Sequence, residues 1–235
     1  MPNKEGDRSV QTFYDEHFYA GARGRPRALS WHTRLIARRL GDIQGKRVLD
    51  VACGLGQWLD LLVRRGALIS GIDISERAVQ ACRAHLPDAD IRQGSAETLP
   101  WADASFDLVT CLGSLEHFPD KPAALAEMVR VGTDEAIFLV LVPNAGFLTR
   151  RLGLYAGTQQ TQVREDVYPL DAWTALLRNA GLIVDRRWRD LHPLDYRWIA
   201  SGPRQQRVLR AAQATMLAIW PIAWQYQVYH LCRKA

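Results

Sequence analysis

The chain has 235 residues, of which 48% are hydrophobic and 23% are charged. That balance is ordinary for a globular protein large enough to bury its own core without metals or disulfides. The net charge of +5 invites a nucleic-acid interpretation. However, the arginines are scattered, and only residues 23–27 form a compact basic cluster. We therefore expect a solvated basic surface and no nucleic-acid partner.

Four cysteines stand far apart in the sequence, and no two of them form a C-x-x-C pair. They are Cys53, Cys82, Cys111 and Cys232. This spacing argues against a zinc site and a disulfide framework, so we expect no bound metal and the reduced thiols of a cytoplasmic protein. Residues 1–8 contain no apolar core of a signal peptide. The longest apolar run, 216–224, is interrupted by a proline and is too short to span a bilayer.

Apolar runs of strand type alternate with amphipathic stretches of helix type from about residue 46 to 190. This rhythm is typical of βαβ units and a mostly parallel sheet. Ser75 and Asp120 stand where helix caps are expected, and Gly66 and Gly132 stand where helices should end. We predict strands at 47–51, 67–73, 89–93, 106–111 and 136–142, and helices at 57–65, 75–85 and 120–132.

The regular pattern stops after the fifth predicted strand, whose uninterrupted apolar run predicts burial on both faces. Residues 144–168 are irregular and contain several glycines, and a loop that long inside a compact domain is usually functional. A helix at 170–180 and a strand at 182–188 restore the pattern. The tail predicts a basic helix at 205–220, a proline break and a last strand at 225–232.

A glycine loop, Asp-Val-Ala-Cys-Gly-Leu-Gly at 50–56, lies between the first strand and the first helix, and Asp73 ends the second strand. Glycines let a backbone approach a ligand closely, and an acid at that place can accept hydrogen bonds from ribose hydroxyls. These two features alone are equally typical of nicotinamide enzymes. However, the third glycine of a dinucleotide fingerprint would stand at position 59, which is Leu59.

The stretch from 48 to 144 resembles class I S-adenosylmethionine (SAM) dependent methyltransferases of the type 11 group. The matching motifs are LDVACGLG at 49–56, GIDIS at 71–75, GSAETLPW at 94–101, SFDLV at 105–109 and LEHF at 115–118. The resemblance implies an α/β, Rossmann-like sheet of seven mostly parallel strands in the order 3-2-1-4-5-7-6, with helices on both faces. It also implies SAM as the cofactor and S-adenosylhomocysteine as its product.

Two parts of the chain are implied by the same resemblance. Residues 1–45 would be an N-terminal helical lid or substrate segment, and 46–235 the SAM-binding methyltransferase domain. Within this domain, 144–168 and 190–222 would be substrate-side insertions, the second of them helical and placed before the last strand. The aromatic run at 13–19 includes Tyr14 and Tyr19, which would close over the cofactor. The alternative is a helix that packs by its aromatic face.

The resemblance also assigns the cofactor contacts. Asp50, Ala52, Gly54 and Gly56 would surround the methionine moiety, and the Leu112 carbonyl would meet its amino group. Asp73 would bind the ribose hydroxyls, Ile74 would lie against the adenine face, and the Ala96 N–H would meet the adenine ring. The chain departs from the family pattern twice. Ala52 replaces a usual glycine, and Ser95 replaces a usual aspartate, so that Ser95 or Glu97 must accept from the adenine amino group.

Methyl transfer is an in-line displacement, and a hydroxyl acceptor must lose a proton on the way. His117 is a candidate general base beside the expected methyl position, although the family's histidine often serves structurally. His192 is a second candidate. The acceptor pocket is expected in the two insertions. Aromatic residues that could line it, or belong to the core instead, are Tyr155, Tyr168, Trp173, Tyr196 and Trp198.

A loose similarity of 109–112 and 115–120 to quinone-pathway O-methyltransferases favours transfer to oxygen. We expect a small-molecule acceptor from natural-product, sugar or quinone and lipid metabolism, including secondary metabolism, and a monomer or homodimer. One alternative is an RNA methyltransferase, although an Asn/Asp-Pro-Pro-Tyr motif is missing after the fourth strand. Another is a SAM-binding sensor or scaffold without catalysis. We expect the basic helix to pack on its own domain, with peripheral contact to an anionic membrane as the alternative.

Overall fold

A computed structural model describes residues 11–19, 29–153, 165–216 and 219–235 of the chain. Seven strands form one sheet: β1 Arg47–Val51, β2 Leu68–Asp73, β3 Asp90–Gln93, β4 Phe106–Leu112, β5 Gly132–Pro143, β6 Leu182–Arg189 and β7 Gln227–Lys234. Their order is β3-β2-β1-β4-β5-β7-β6. The first five strands are parallel, whereas β7 runs antiparallel to both β5 and β6. The predicted order and the mostly parallel character of the sheet are confirmed.

Helices cover both faces of this sheet. They are α1 Trp31–Arg39, α2 Gln57–Val63, α3 Glu76–His85, α4 Lys121–Val131, α5 Leu148–Arg151, α6 Leu170–Asn179, α7 Tyr196–Ala200 and α8 Arg204–Met216. Both predicted caps are present, because Ser75 Oγ accepts from the Ala78 N–H at 3.1 Å and Asp120 Oδ1 accepts from the Ala123 N–H at 3.0 Å. Helix α2 ends two residues earlier than predicted because the chain tightens there, with the Arg65 N–H bonded to the Leu62 carbonyl.

Alternate residues of the central strands supply the two faces of the core. On one face Phe138 packs with the apolar sides of α4 and α6, and on the other face Leu139 packs with those of α1 and α2. Trp173 of α6 is fully buried, and its indole N–H donates to the Pro143 carbonyl at 2.7 Å. Trp173 is therefore a core residue that also fixes the end of β5.

The insertion before β7 forms α7 and α8, which pack on each other and on a short 3-10 helix, His192–Leu194. Helix α8 is described as far as Met216, and none of its described side chains is buried. The last strand begins two residues later than predicted because a second 3-10 helix, Ile222–Trp224, precedes it. Within the described ranges, no helix is long and apolar enough to cross a membrane.

Candidate active site

The glycine loop joins β1 to α2 through three left-handed residues. Ala52, Gly54 and Gly56 have φ angles of 61°, 53° and 77°. The Gly54 N–H donates to Asp73 Oδ2 at 2.8 Å, so the loop is tied to the end of β2. Alanine rarely adopts this conformation, which costs about 1–2 kcal/mol for a residue with a Cβ. Ala52 therefore adopts a left-handed conformation that glycine would adopt without this strain.

Two buried carboxylates flank this loop. Asp50 is 3% exposed and accepts from Thr110 Oγ1 at 2.6 Å, while the Trp58 indole N–H donates to the same hydroxyl oxygen at 3.2 Å. Burial raises the pKa of Asp50 to about 7. Asp73 is 7% exposed and accepts from the backbone N–H of Gly54 and of Ser75, and burial raises its pKa as well. A ligand that supplies a cation or further hydrogen-bond donors would stabilise the charged form of each carboxylate.

A first cavity opens beside Asp73. Its walls include five residues predicted to bind ribose and adenine: Asp73, Ile74, Ser95, Ala96 and Glu97. The Ser95 hydroxyl donates to Glu97 Oε2, and Glu97 Oε1 accepts from the Asp120 N–H at 3.3 Å. Because its proton is directed to Glu97, the Ser95 oxygen is available as an acceptor. The residues that replace the usual aspartate therefore act together as one hydrogen-bonded pair.

A second cavity of about 900 Å³ lies next to the first, a volume in the range of small-molecule sites. Its lining includes three of the residues predicted to hold the methionine moiety, Asp50, Gly54 and Leu112. Five residues line both cavities and mark their junction: Tyr14, Tyr19, Ala52, Ser114 and His117. The two cavities thus meet at His117, and a ligand seated in the first can reach into the second.

The N-terminal segment covers this junction. A π-helical turn, Tyr14–Phe18, is anchored by Asp15, whose Oδ1 accepts from the Ser75 hydroxyl at 2.5 Å and from the Arg77 N–H at 3.2 Å. The Tyr19 hydroxyl stands 2.8 Å from the position that a Cβ on Gly54 would occupy. Burial, together with the Asp73 and Glu116 charges, raises the pKa of Tyr14 to about 12. Tyr19 therefore lies against the glycine loop, and Tyr14 lines the same two cavities beside it.

Glu116 is a wall residue of the second cavity that was missing from the predicted site. It is 3% exposed, and among the described residues its Oε2 has no hydrogen-bond partner. Burial raises its pKa to about 7, with a smaller contribution from the Glu165 charge. The Glu116 carbonyl accepts from the Asp166 N–H, and Lys121 Nζ lies 2.8 Å from Asp166 Oδ2. These contacts hold the wall in place, and one buried carboxylate oxygen of Glu116 is left without a hydrogen bond to the described residues.

The far wall of the second cavity comes from the start of β7 and from α1. Tyr226, Gln227 and Tyr229 line it, as does Thr33. Pro143, the last residue of β5, pairs with Gln227, the first residue of the antiparallel β7. The beginning of β7 therefore lies at the sheet edge where the parallel strands end, which the sheet order predicts but residue type alone does not indicate.

Several predicted residues lie elsewhere. His192 lines neither cavity and packs against His32 and Trp198, with ring centroids 5.4 Å and 5.6 Å apart. Tyr168 also lines neither cavity and packs against Trp173 of the core with tilted rings, whose centroids are 4.9 Å apart. A Cβ on Gly56 would overlap Cys82 Sγ, so this glycine permits helix packing, not ligand approach. Tyr196 and Trp198 lie outside both cavities, and Tyr155 lies outside the described residues.

Metal ligation was not expected, and among the residues that the structure describes no three His, Cys, Asp or Glu side chains are grouped so as to hold an ion. The described residues offer three kinds of ligand contact instead. The buried Asp50 suits a cation, the buried Asp73 suits hydroxyl groups, and the Ser95–Glu97 pair can accept from an amino group. These three features match the amino, ribose and adenine groups of SAM in the order in which they occur along that molecule. The residues present therefore fit SAM.

Comparison with known proteins agrees with this geometry. Residues 49–140 match a family described as a methyltransferase domain. The ubiquinone biosynthesis O-methyltransferase of Alkalilimnicola ehrlichii is 36% identical over 181 residues, which cover 69% of this chain and 71% of that protein. The protein of the same name from Paracidovorax citrulli is 32% identical over 74% of this chain and 79% of its own length.

Solved structures share the fold. A chain of the Haloferax volcanii complex between the Trm112 methyltransferase activator and a methyltransferase superposes with a TM-score of 0.67. It covers 98% of this chain and 97% of its own length at 19% identity. This superposition supports the fold, but at so low an identity it says nothing about the substrate.

Proposed function

Since the chain belongs to the class I SAM-dependent methyltransferases, we propose that it transfers the methyl group of SAM to a hydroxyl oxygen of a small molecule. The observation that carries this proposal is the meeting of two cavities at His117. The first cavity contains the residues expected to bind ribose and adenine. The second contains those expected to bind the methionine moiety, and its remaining volume would take the acceptor. SAM supplies an activated methyl group, so the protein's part is alignment, exclusion of water and removal of a proton.

Within the first cavity we propose that Asp73 accepts from the ribose hydroxyls, as its carboxylate oxygens each have a second acceptor site. The Ser95–Glu97 pair would accept from the adenine amino group, next to Ala96 and Ile74. Asp50 would meet the methionine ammonium, and this cation would restore the charge that burial disfavours. Tyr14 and Tyr19 would exclude water above the reacting atoms, since both line the junction of the cavities.

Two neighbouring side chains are proposed to deprotonate the acceptor. His117 lines both cavities, and Glu116 lines the second with one oxygen that makes no hydrogen bond to the described residues. A carboxylate whose pKa is raised to about 7 is a competent base near neutral pH. Because His192 packs outside the cavities, the structure favours His117 and Glu116 over it.

The acceptor is proposed to be a hydroxylated, largely apolar or aromatic molecule of the kind found in natural-product, sugar or quinone and lipid metabolism. The lining of the second cavity includes Phe18, Leu29 and Leu141 together with four tyrosines, Tyr14, Tyr19, Tyr226 and Tyr229. The relatives from A. ehrlichii and P. citrulli are named as ubiquinone biosynthesis O-methyltransferases, which supports transfer to oxygen.

An RNA acceptor is disfavoured by charge. Asp50, Glu116 and Glu165 line the second cavity, and its described lining contains no lysine or arginine. A nucleic-acid strand brings phosphates that need basic partners. A site that is acidic and closed by two tyrosines therefore suits a neutral small molecule better.

The proposal is tested by incubating the purified chain with SAM and a panel of catechols, polyprenylated phenols, sugars and an RNA control. We expect S-adenosylhomocysteine and an O-methylated product, both detected by mass spectrometry, from at least one hydroxylated compound. His117→Ala and Glu116→Gln should lower kcat while SAM affinity, measured by calorimetry, stays near the parent value. Glu135→Gln, an exposed site on β5, is the matched control.

Two results would overturn the proposal, and a third would overturn the assignment of the base. SAM binding without any S-adenosylhomocysteine across the panel would identify a sensor or scaffold. Methylation confined to the RNA control would exclude the small-molecule acceptor. Full activity in the double variant His117→Ala with Glu116→Gln would remove both side chains from the chemistry and leave the acceptor to be deprotonated by solvent.

A further inference from the structure

Helix α8 packs on the rest of the protein through polar side chains. Arg210 donates to the carbonyls of Trp198 and Ser201 at 2.9 Å and 2.7 Å, and its guanidinium lies over the Trp198 ring, 4.8 Å from its centroid. Arg207 donates from Nε to the Gly202 carbonyl at 2.8 Å. Arg210 thus holds the side of α8 that faces α7 through charge-assisted hydrogen bonds and a cation–π contact, whereas the Arg207 bond is local to the turn before α8 and leaves that side chain exposed.

The opposite side of α8 is apolar and faces solvent. Val208, Ala212 and Met216 recur at a spacing of four and so share one side of the helix, with Leu209 beside them. Val208 is 68% exposed, Leu209 51% and Met216 46%, and Ile219 just beyond the helix is 73% exposed. A helix at a protein surface ordinarily has the reverse polarity, with its apolar side packed on the core. This apolar side therefore needs a partner that removes it from water.

Positive charge is concentrated on and beside this helix. Residues 196–216 contain four arginines and no aspartate or glutamate. The other two basic residues of the C-terminal part, Arg233 and Lys234, stand at the end of β7, where they pair with Asp185 and Asp134. Arg204 and Arg207 both belong to α8 and are exposed. A partner of this surface is consequently expected to be anionic.

We propose that α8 docks on the surface of an anionic lipid bilayer. Val208, Leu209 and Met216 would enter the interfacial region, and Arg204 and Arg207 would approach lipid phosphates. A basic amphipathic helix without the length to span a membrane is the ordinary peripheral lipid anchor. Trp220 and Trp224 follow Met216 by four and eight residues in the sequence, and tryptophan favours the membrane interface.

A second copy of this chain is the competing occupant. It would bring the same arginine-bearing surface against itself, so like charges would meet at the interface, which disfavours a symmetric dimer. An anionic bilayer requires no shape complementarity, and it supplies both an apolar interior and a negatively charged surface. This inference does not depend on which molecule is methylated, because it concerns a surface outside both cavities.

The test is flotation of the full chain with vesicles of phosphatidylcholine alone and of phosphatidylcholine with about 30% phosphatidylglycerol. We expect binding to the anionic vesicles only, with release in about 1 M salt. Val208→Ser with Leu209→Ser should weaken binding about tenfold or more. Arg204→Gln with Arg207→Gln should weaken it about fivefold for each arginine.

Matched controls make the same chemical changes elsewhere. Leu68 at the start of β2 is 62% exposed, and Arg64 is exposed at the end of α2. Leu68→Ser and Arg64→Gln should leave vesicle binding unchanged. SAM affinity near the parent value reports that each variant is folded, and it stays informative whether or not a hydroxyl acceptor is ever found.

Three outcomes would overturn the inference. The first is failure of the parent chain to float with anionic vesicles. The second is equal loss of binding in Leu68→Ser, which would indicate general stickiness instead of a defined surface. The third is a homodimer, seen by light scattering, that Val208→Ser with Leu209→Ser dissociates, because the exposed side would then be an interface between copies.

Discussion

Replacing Glu116 with glutamine should stabilise the fold at neutral and alkaline pH but not near pH 4.5. Burial raises the Glu116 pKa from 4.5 to about 7, so the folded protein holds the proton more tightly than the unfolded chain. Below pH 4.5 Glu116 is protonated in both states and does not destabilise the fold. Its destabilising effect grows as the pH rises from 4.5 to 7 and is complete above 7. At about 1.4 kcal/mol per pH unit, ionised Glu116 costs the fold about 3 kcal/mol at pH 8.

Glutamine has nearly the same shape and no charge, so Glu116→Gln avoids that cost. We expect the variant and the parent to unfold alike near pH 4.5, in urea titrations followed by circular dichroism. At pH 8 the variant should be more stable by about 3 kcal/mol, or about 5 to 10 °C in Tm. Exposed Glu135→Gln should show no such pH dependence. A constant difference between parent and Glu116→Gln at every pH would refute the reasoning, since it would mean that the carboxylate is not desolvated.

Three further outcomes follow from the loop and its surroundings. Ala52→Gly should raise the free energy of unfolding by about 0.5 to 1 kcal/mol, because it relieves a left-handed alanine; a loss in urea titrations would contradict the strain. Gly54→Ala should weaken SAM binding in calorimetry about tenfold, since its Cβ would meet the Tyr19 hydroxyl, and adding Tyr19→Phe should restore part of the affinity. Lys121→Met should destabilise by about 2 to 3 kcal/mol by removing the cation 2.8 Å from Asp166, and a Tm equal to the parent's would show that the ion pair is not stabilising.

Much of the fold could be predicted from the sequence because local signals agree with the tertiary structure. Apolar runs of strand length, helix caps at Ser75 and Asp120 and glycine stops placed most elements within a few residues. The order of the strands came from the family resemblance, not from periodicity. Helix α8 shows what the hydrophobic pattern could not predict. An apolar stripe ordinarily marks the buried side of a helix, whereas in α8 the polar side packs on the protein and the apolar side is exposed.

The site was predicted best where residues are adjacent in sequence to a strand end. Asp50, Asp73 and the residues at 95–97 line the two adjoining cavities because each stands at or just after the carboxyl end of a parallel strand. His192 could not be placed in this way, since β6 lies at the far edge of the sheet beyond β7. The sequence favours His117 over its neighbour Glu116 as a base. The burial that raises the Glu116 pKa cannot be seen in a single sequence.

The position of β7 has a consequence for how the chain folds. Strand β7 lies between β5 and β6, yet it is synthesised after both. Until residues 227–234 are in place, β6 has no neighbouring strand to pair with, and β5 presents an open hydrogen-bonding edge to any other chain. The same strand carries the Tyr229 wall of the second cavity. Closure of the sheet and completion of the acceptor pocket are therefore a single late event, and partly made chains are most exposed to aggregation just before it.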